Sequence, residues 1–192
     1  VASGENACIL HYTENNQELK DGDLLLIDAG CEINGYASDI TRTFPINGKF
    51  SEAQKEIYDV VLNAQKSAIN SIKPGVSSNK PHETACEIIT NGLIKLGIMK
   101  SAEDLTKFYM HNTGHWLGLD VHDVGSKLIN DEFREFKNGM VTTVEPGIYI
   151  RRDDKIDSKY WGIGIRIEDD VHITNDEPEV LSGAIAKPLR IG

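Results

Sequence analysis

The stretch LLLIDAGCEINGYASDITRTFP, residues 24–45, predicts a β-hairpin. Its apolar and β-branched runs indicate strands at residues 23–30 and 36–44. Asn34 and Gly35 lie between them and form a favoured pair for a two-residue hairpin turn. The stretch therefore predicts two antiparallel strands with a defined register.

This hairpin would bring two carboxylates together. The turn sets Gly30 opposite Asp39, and because side chains alternate along a strand, Asp28 shares a face with Gly30. We therefore expect Asp28 and Asp39 to be diagonal neighbours with Cα atoms roughly 7 Å apart. Two such charges repel unless a proton or a cation lies between them. The alternative at this point is that one aspartate caps a turn or pairs with Arg42.

Two helices are predicted after the hairpin, at residues 51–72 and 81–96. Ser51 and Gln54 match a capping box, and Pro81 suits the first turn of the second helix. Apolar residues recur at helical spacing in the first helix and predict its buried face: Ile57, Val61, Ala64, Ala68 and Ile72.

Strand-like segments follow at residues 115–123, 140–151 and 162–173. Helices that lie between groups of hairpin-like strands favour an α+β fold with an antiparallel or mixed sheet. A doubly wound parallel sheet is disfavoured by the same order of elements.

Composition excludes several classes of partner. The chain has 192 residues and a net charge of −10, which argues against nucleic-acid or anionic-membrane binding. No apolar run approaches the ~20 residues of a membrane span. The odd number of cysteines, Cys8, Cys31 and Cys86, indicates free thiols in a reducing compartment, so we expect a cytoplasmic protein.

The segment HNTGHWLGLDVHD, residues 111–123, is enriched in histidine. His115 and His122 flank an apolar stretch, and a neutral imidazole suits a metal site built from carboxylates. His111 is interpreted as an ordinary core histidine. For any single histidine of the segment, that interpretation remains the alternative.

Two glutamates also lie in strand-like sequence. Glu145 precedes Pro146-Gly147 in TTVEPGIYI, and Glu168 lies in the alternating segment GIGIRIEDDV, residues 162–171. In isolation, Glu145 could be a solvated charge at a strand end. Arg166 and Glu168 share a face and could be a plain surface ion pair.

Together these motifs supply four carboxylates and one histidine: Asp28, Asp39, His115, Glu145 and Glu168. Such an oxygen-rich set suits Mn²⁺ or a similar divalent ion better than structural zinc. Four carboxylates can compensate and bridge two divalent cations, which typically lie ~3.5–4 Å apart. The remaining alternative is an acidic α+β domain without a site.

The same motifs resemble a known family. ILHYTEN, DAGCEINGYASDITRTFP, GHWLGLDVHDVG, TVEPGIYI and GIGIRIEDDV are similar, in this order, to motifs of the creatinase/methionine aminopeptidase superfamily, and within it to the aminopeptidase P (Xaa-Pro aminopeptidase) family. The resemblance implies the pita-bread fold, a curved and mostly antiparallel sheet covered by helices. Relatives have further chain ahead of Val1, so we expect residues 1–192 to be a single catalytic domain truncated at its N-terminal end.

The resemblance also implies a mechanism. It makes Asp28, Asp39, His115, Glu145 and Glu168 the ligands of two divalent ions, most often Mn²⁺, with Co²⁺ or Zn²⁺ as alternatives. A metal-bridging water or hydroxide would attack the carbonyl of a bond between an N-terminal residue and proline. By the same resemblance, Glu145 is the proton shuttle, His122 and His11 contact the substrate, and Arg166 orients a ligand carboxylate, with Tyr149 joining that network.

Two other functions share this fold. Prolidases use the same ligands to cleave X-Pro dipeptides, and some pita-bread domains bind peptides without catalysis. Methionine aminopeptidases differ around the ligand histidine. The sequence departs from the family after HDVG, where Ser126-Lys127 replaces an aromatic of the substrate pocket. The resemblance implies peptide substrates with proline at the second position, and a homo-oligomer for the full-length protein.

Overall fold

A computed structural model describes residues 1–188. Twelve strands and two α-helices are found in these residues: β1 Ala2–Ser3, β2 Leu24–Ala29, β3 Glu32–Ile33, β4 Tyr36–Ala37, β5 Ile40–Pro45, α1 Glu52–Asn70, α2 Lys80–Lys95, β6 Leu128–Ile129, β7 Glu132–Phe133, β8 Val141–Val144, β9 Gly147–Ile150, β10 Ile163–Arg166, β11 Asp169–His172 and β12 Glu179–Val180. Short 3-10 turns lie at Gly4–Cys8, Ala102–Lys107 and Ser158–Tyr160.

The predicted hairpin is confirmed in its register. Asp28 pairs with Thr41 in β2 and β5, and Ile33 pairs with Tyr36 in β3 and β4. One register therefore continues along both short ladders, which are separated by a break near Gly30. The turn residues Asn34 and Gly35 have φ values of 54° and 82°, the left-handed conformation that a tight hairpin turn requires.

Both predicted helices are confirmed to within two residues at each end. Ser51 and Gln54 form both hydrogen bonds of the capping box at the start of α1. All five residues of the predicted apolar stripe are buried, although Ile72 lies two residues beyond the end of α1. Helix α1 packs against α2, and together they cover the core side chains of the later strands, including Ile148, Ile165 and Ile167.

The strand expected at residues 115–123 is wrong. Apart from one isolated bridge between Trp116 and Thr142, the segment is bent and irregular. It folds back on itself because Asp123 N–H donates to the Trp116 carbonyl and Gly118 N–H donates to that of Asp120. The alternating apolar residues of this segment mark an irregular loop.

The two later strand segments are each interrupted at a glutamate. The segment 140–151 divides into β8 and β9 around Glu145-Pro146, where proline has no N–H to donate to a ladder. The segment 162–173 divides into β10 and β11 around Glu168. Each interruption places a carboxylate at the junction of two short strands.

The sheets have the orders β1-β2-β5, β9-β10 and β8-β11-β12, and the hairpins β3-β4 and β6-β7 complete the described strands. Every strand pairing in residues 1–188 is antiparallel, which confirms the α+β class. No helix in this range is both long and apolar enough to cross a membrane.

Candidate metal centre

The side chains predicted to form a metal site lie together. Among the described residues, three groups of side chains each offer potential ligand atoms that lie within 4.8 Å of one another. The groups are Asp28, Asp39 and Glu168, then His115, Glu145 and Glu168, then Asp39, His115 and His122. Glu168 belongs to the first two groups and thus connects the hairpin carboxylates to His115 and Glu145.

Hydrogen bonds between elements fix Glu168 at the centre. Its backbone N–H donates to the carbonyl of Thr41 over 3.1 Å, and the Thr41 hydroxyl donates to Oε2 of Glu168 over 2.6 Å. Thr41 is the direct partner of Asp28 in the β2–β5 ladder. The register read from the hairpin sequence therefore also determines where Glu168 sits.

A second set of bonds positions His115 and Glu145. The N–H of Thr143 donates to the carbonyl of His115 over 2.9 Å, and the N–H of Glu145 donates to that of Thr113 over 2.7 Å. His115 Nδ1–H donates to the Trp116 carbonyl over 3.0 Å. This bond leaves Nε2 facing Asp39 at 3.4 Å and Glu145 at 3.6 Å, the orientation expected of a ligand histidine.

Burial, with carboxylate crowding as a lesser cause, shifts the pKa values of the clustered carboxyl groups. Burial, and then the charges of Glu145 and Asp39, hold the pKa of Glu168 well above its ordinary value. Burial likewise raises the pKa values of Asp28 and Glu145. Burial would also raise the pKa of Asp39, but hydrogen bonds with His115 and Asp28 outweigh it and lower that pKa. Such a cluster favours either protons or added cations.

Arg166 is the nearest fixed cation, and it does not pair with Glu168 on the surface. It is buried, its Nη2 donates to Asp28 Oδ2 over 2.6 Å, and its Nη1 donates to the Tyr149 hydroxyl over 3.1 Å. The surface-pair alternative is therefore wrong. Arg42 contacts Asp169 at 2.7 Å, so the alternative that it pairs with Asp28 or Asp39 is also wrong.

His111 lines the cleft, which the interpretation as an ordinary core histidine missed. Its Nδ1–H donates to the Asn112 carbonyl over 2.7 Å, so Nε2 accepts from the Tyr149 hydroxyl over 2.8 Å. Burial lowers the pKa of His111 to about 4, which keeps the ring neutral. Its position four residues before His115 in a histidine-rich segment was the available signal.

These side chains open into a cleft of about 400 Å³. His11, His111 and His122 line it together with the predicted ligand residues, and the rings of His115 and His122 lie 4.3 Å apart. All the residues selected from the sequence as ligands or catalytic groups thus face one cavity. Lys127 also lines it, although the sequence suggested only a departure from the family at this position.

The chain is similar to characterised proteins over nearly its whole length. A match to metallopeptidase family M24 covers residues 1–175. The Xaa-Pro aminopeptidase of Haemophilus influenzae is 54% identical over 98% of this chain and 45% of the relative. The Xaa-Pro aminopeptidase of Escherichia coli is 52% identical over 97% of this chain and 44% of the relative.

The fold agrees with that similarity. The solved structure of Pseudomonas aeruginosa aminopeptidase PepP superposes with a TM-score of 0.94 at 52% identity, over 97% of this chain and 44% of that structure. The chain spans less than half the length of these relatives.

Proposed function

Because this chain belongs to metallopeptidase family M24, we propose that it is the metal-binding catalytic part of an aminopeptidase that removes an N-terminal residue preceding proline. The observation that carries the proposal is the convergence of four carboxylates and His115 on one cleft around the buried Glu168. The names of the relatives support the substrate class, peptides with proline at the second position. We further propose that residues 1–192 act as one domain.

The donor set fits two divalent cations. Glu168 belongs to two of the groups of potential ligands, one with Asp28 and Asp39 and one with His115 and Glu145. The Glu168 carboxylate would therefore be shared if each group held one ion. Oxygen donors with one imidazole favour Mn²⁺, with Co²⁺ or Zn²⁺ as alternatives. When bound, such ions lower the pKa of water towards about 7 and stabilise negative charge on a carbonyl oxygen.

Glu145 is proposed as the proton carrier. Burial raises the pKa of Glu145 in the metal-free protein. A carboxylate at the reacting bond acts first as general base and then as general acid. The Thr143 hydroxyl donates to Glu145 Oε1 over 3.3 Å and orients it. Glu145 would take the proton of the attacking water and deliver it to the proline nitrogen that leaves.

His122 and His11 are proposed to hold the substrate. Both line the cleft beside the metal-binding side chains, where an imidazole N–H can donate to a substrate carbonyl. Arg166 acts through Asp28, whose carboxylate it orients by a short charged hydrogen bond. The Tyr149 hydroxyl accepts a hydrogen bond from the other terminal nitrogen of Arg166 and so helps to hold it.

Two further properties are proposed for the complete protein. It is a homo-oligomer and it works in the cytoplasm. Three free cysteines support a reducing compartment.

A competition assay tests the substrate class. The complete Mn²⁺-loaded protein is incubated with an X-Pro-Y tripeptide and an X-Pro dipeptide, and mass spectrometry follows both. The proposal expects loss of the first residue from the tripeptide while the dipeptide survives. Cleavage of the dipeptide alone would make the protein a prolidase, and binding of both without cleavage would make it a peptide-binding module.

Replacing Glu145 by glutamine tests the mechanism. We expect kcat to fall on the order of 10²- to 10⁴-fold, the usual contribution of a general base. Glu179→Gln, at an exposed position of β12, is the matched control and should leave kcat unchanged. Unchanged turnover in Glu145→Gln would remove this residue from the mechanism.

A further inference from the structure

A second cavity adjoins the metal cleft. This side chamber has a volume of about 250 Å³ and is lined by Asn79, His82, Thr113, Trp116, Lys127 and Phe133, among others. Asn112, Gly114 and Lys127 line both the chamber and the cleft, so the two spaces meet at these residues. Pockets for whole drug-sized ligands measure about 300–1,000 Å³, so a chamber of this size suits a single side chain.

The charge of the chamber is opposite to that of the molecule. The chain has 30 acidic and 20 basic residues, yet none of the described residues lining the chamber is an aspartate or glutamate. Lys127 supplies a positive charge, and the first turn of α2, at Asn79 and His82, forms one wall. The amino end of a helix dipole adds partial positive charge there. The metal cleft next to it contains four carboxylates.

The described residues that line the chamber include Lys127 and two residues with a buried, unpaired polar atom. Lys127 Nζ donates to the Gly114 carbonyl with one of its three N–H groups, and the side chain is only partly buried. Ser78 and Trp116 also line the chamber. Their Oγ and Nε1 atoms are buried without a hydrogen-bond partner within the described part of the chain. A carboxylate in the chamber would replace water as the acceptor for the remaining N–H groups of Lys127.

The environment of Lys127 strengthens its interaction with an anion. Burial lowers the pKa of Lys127, and the nearby charge of Glu145 partly opposes this. A half-buried ammonium has lost part of its water shell, so its attraction to a carboxylate is less screened than at the surface. Phe133 and Phe136 provide apolar wall for the aliphatic part of an incoming side chain.

We propose that the side chamber binds a carboxylate of the peptide substrate and that Lys127 is the specificity-determining cation. The inference rests on the proposed aminopeptidase function, since the cleft beside the chamber is where the peptide would lie. It makes the enzyme selective for peptides with an acidic group close to the cleaved bond. The carboxylate could come from the first residue, from the third residue or from the peptide's C-terminus.

Three pairs of peptides distinguish these sources. They are Asp-Pro-Ala-amide against Asn-Pro-Ala-amide, Ala-Pro-Asp-amide against Ala-Pro-Asn-amide, and Ala-Pro-Ala acid against its amide. With the complete Mn²⁺-loaded protein, kcat/KM for the acidic member of one pair should exceed that of its neutral partner by about tenfold, which corresponds to about 1.4 kcal/mol. The same ratio is measured for binding by calorimetry.

Variants of Lys127 decide whether this residue is the cause. Lys127→Met should reduce the ratio to about one, and Lys127→Arg should retain most of it, because the charge is kept. Lys66→Met, on the exposed face of α1, is the matched control and should keep the full ratio. A preference that survives in Lys127→Met, or no preference in any pair, would overturn the proposal.

The two proposals fail separately. If the neutral peptides are cleaved without any acidic preference, the aminopeptidase function stands and the role of Lys127 is wrong. If no peptide is cleaved, the aminopeptidase function fails. In that case the calorimetric ratio and its loss in Lys127→Met still decide whether the chamber binds a carboxylate.

Discussion

Glu168 and Asp169 are adjacent in the chain and almost completely buried, with exposures of 1% and 0%, yet their surroundings differ in charge. Burial and neighbouring carboxylates raise the pKa of Glu168 well above its ordinary value. Burial would also raise the pKa of Asp169, but bonds from Lys187 and Ser182 outweigh it and lower that pKa. One residue along the backbone thus separates two opposite electrostatic situations.

Asp169 is satisfied by the protein itself. Arg42 Nη2 donates to its Oδ1 over 2.7 Å, Gln65 donates to its Oδ2 over 2.6 Å, and Ser182 donates to its Oδ1 over 2.7 Å. Lys187 adds a second positive charge. This network joins β5, α1 and β11, so Asp169 has a structural role that the sequence did not reveal.

Glu168 lacks such compensation. Among the described residues, Thr41 is its only side-chain hydrogen-bond donor, and its charged neighbours are mainly other carboxylates. A buried carboxylate that the protein does not neutralise requires a proton or a cation from outside. The difference between the two residues shows that burial alone does not identify a metal ligand, because a buried carboxylate calls for a proton or a cation only where the protein leaves its charge uncompensated.

The largest expected effect on stability comes from removing Asp169, whose charge the protein compensates. Asp169→Ala leaves the charges of Arg42 and Lys187 buried without their partner, which should lower the free energy of unfolding by about 3–5 kcal/mol. Denaturant unfolding measures the change. Asp59→Ala is the control, because the pair of Asp59 with Lys55 is about half exposed and such pairs contribute only ~0.2–1 kcal/mol. A loss of stability in Asp169→Ala as small as the loss expected for Asp59→Ala would show that the Asp169 network is not structural.

Replacing Glu168, whose charge the protein leaves uncompensated, should weaken metal binding. Glu168→Gln removes a proposed ligand of both ions. Since loss of a mere outer-shell partner costs about 10- to 100-fold in metal affinity, we expect the Mn²⁺ dissociation constant measured by calorimetry to rise by about 100-fold or more. The metal-free variant should be at least as stable as the parent, because one repelling charge is gone. Glu179→Gln is the matched control. Unchanged Mn²⁺ binding in Glu168→Gln would place the ions elsewhere.

The smallest expected effect is a difference in pH dependence. Since the pKa of Glu168 is raised on folding, its contribution to stability is present below the unfolded pKa and is lost as pH rises through the folded value. Without metal, the parent should lose stability relative to Glu168→Gln as pH rises above the ordinary glutamate pKa of about 4.3, by about 1.4 kcal/mol per unit of displaced pKa.

Thermal unfolding of both proteins in a chelator tests this prediction. The comparison is needed because His111 titrates in the opposite sense, with a pKa lowered to about 4. Saturating Mn²⁺ should abolish the loss of stability that the parent shows as pH rises, because bound cations then compensate the carboxylates in place of protons. Identical pH profiles in chelator would show that Glu168 is not electrostatically strained.

Much of the fold was predictable from local sequence. The turn at Asn34-Gly35, the capping box of Ser51 and the apolar stripe of α1 each depend on residues a few positions apart, and each is confirmed. The strand expected at 115–123 is wrong because its alternation reflects a loop that folds back through Asp123. Periodicity alone does not separate these cases.

The sequence by itself determined the family, the pita-bread fold and the candidate ligand residues. It did so because each motif is a short run of neighbouring residues that can be recognised without knowing the fold. Tertiary structure decided which buried charges are compensated. Arg42 lies far from Asp169 in the chain, as Arg166 does from Asp28, and only the packing of distant strands brings them together. The tertiary structure also decided that Lys127 lines the chamber. The strength of a charge interaction depends on distance in space and on burial, and neither can be read from positions along the chain.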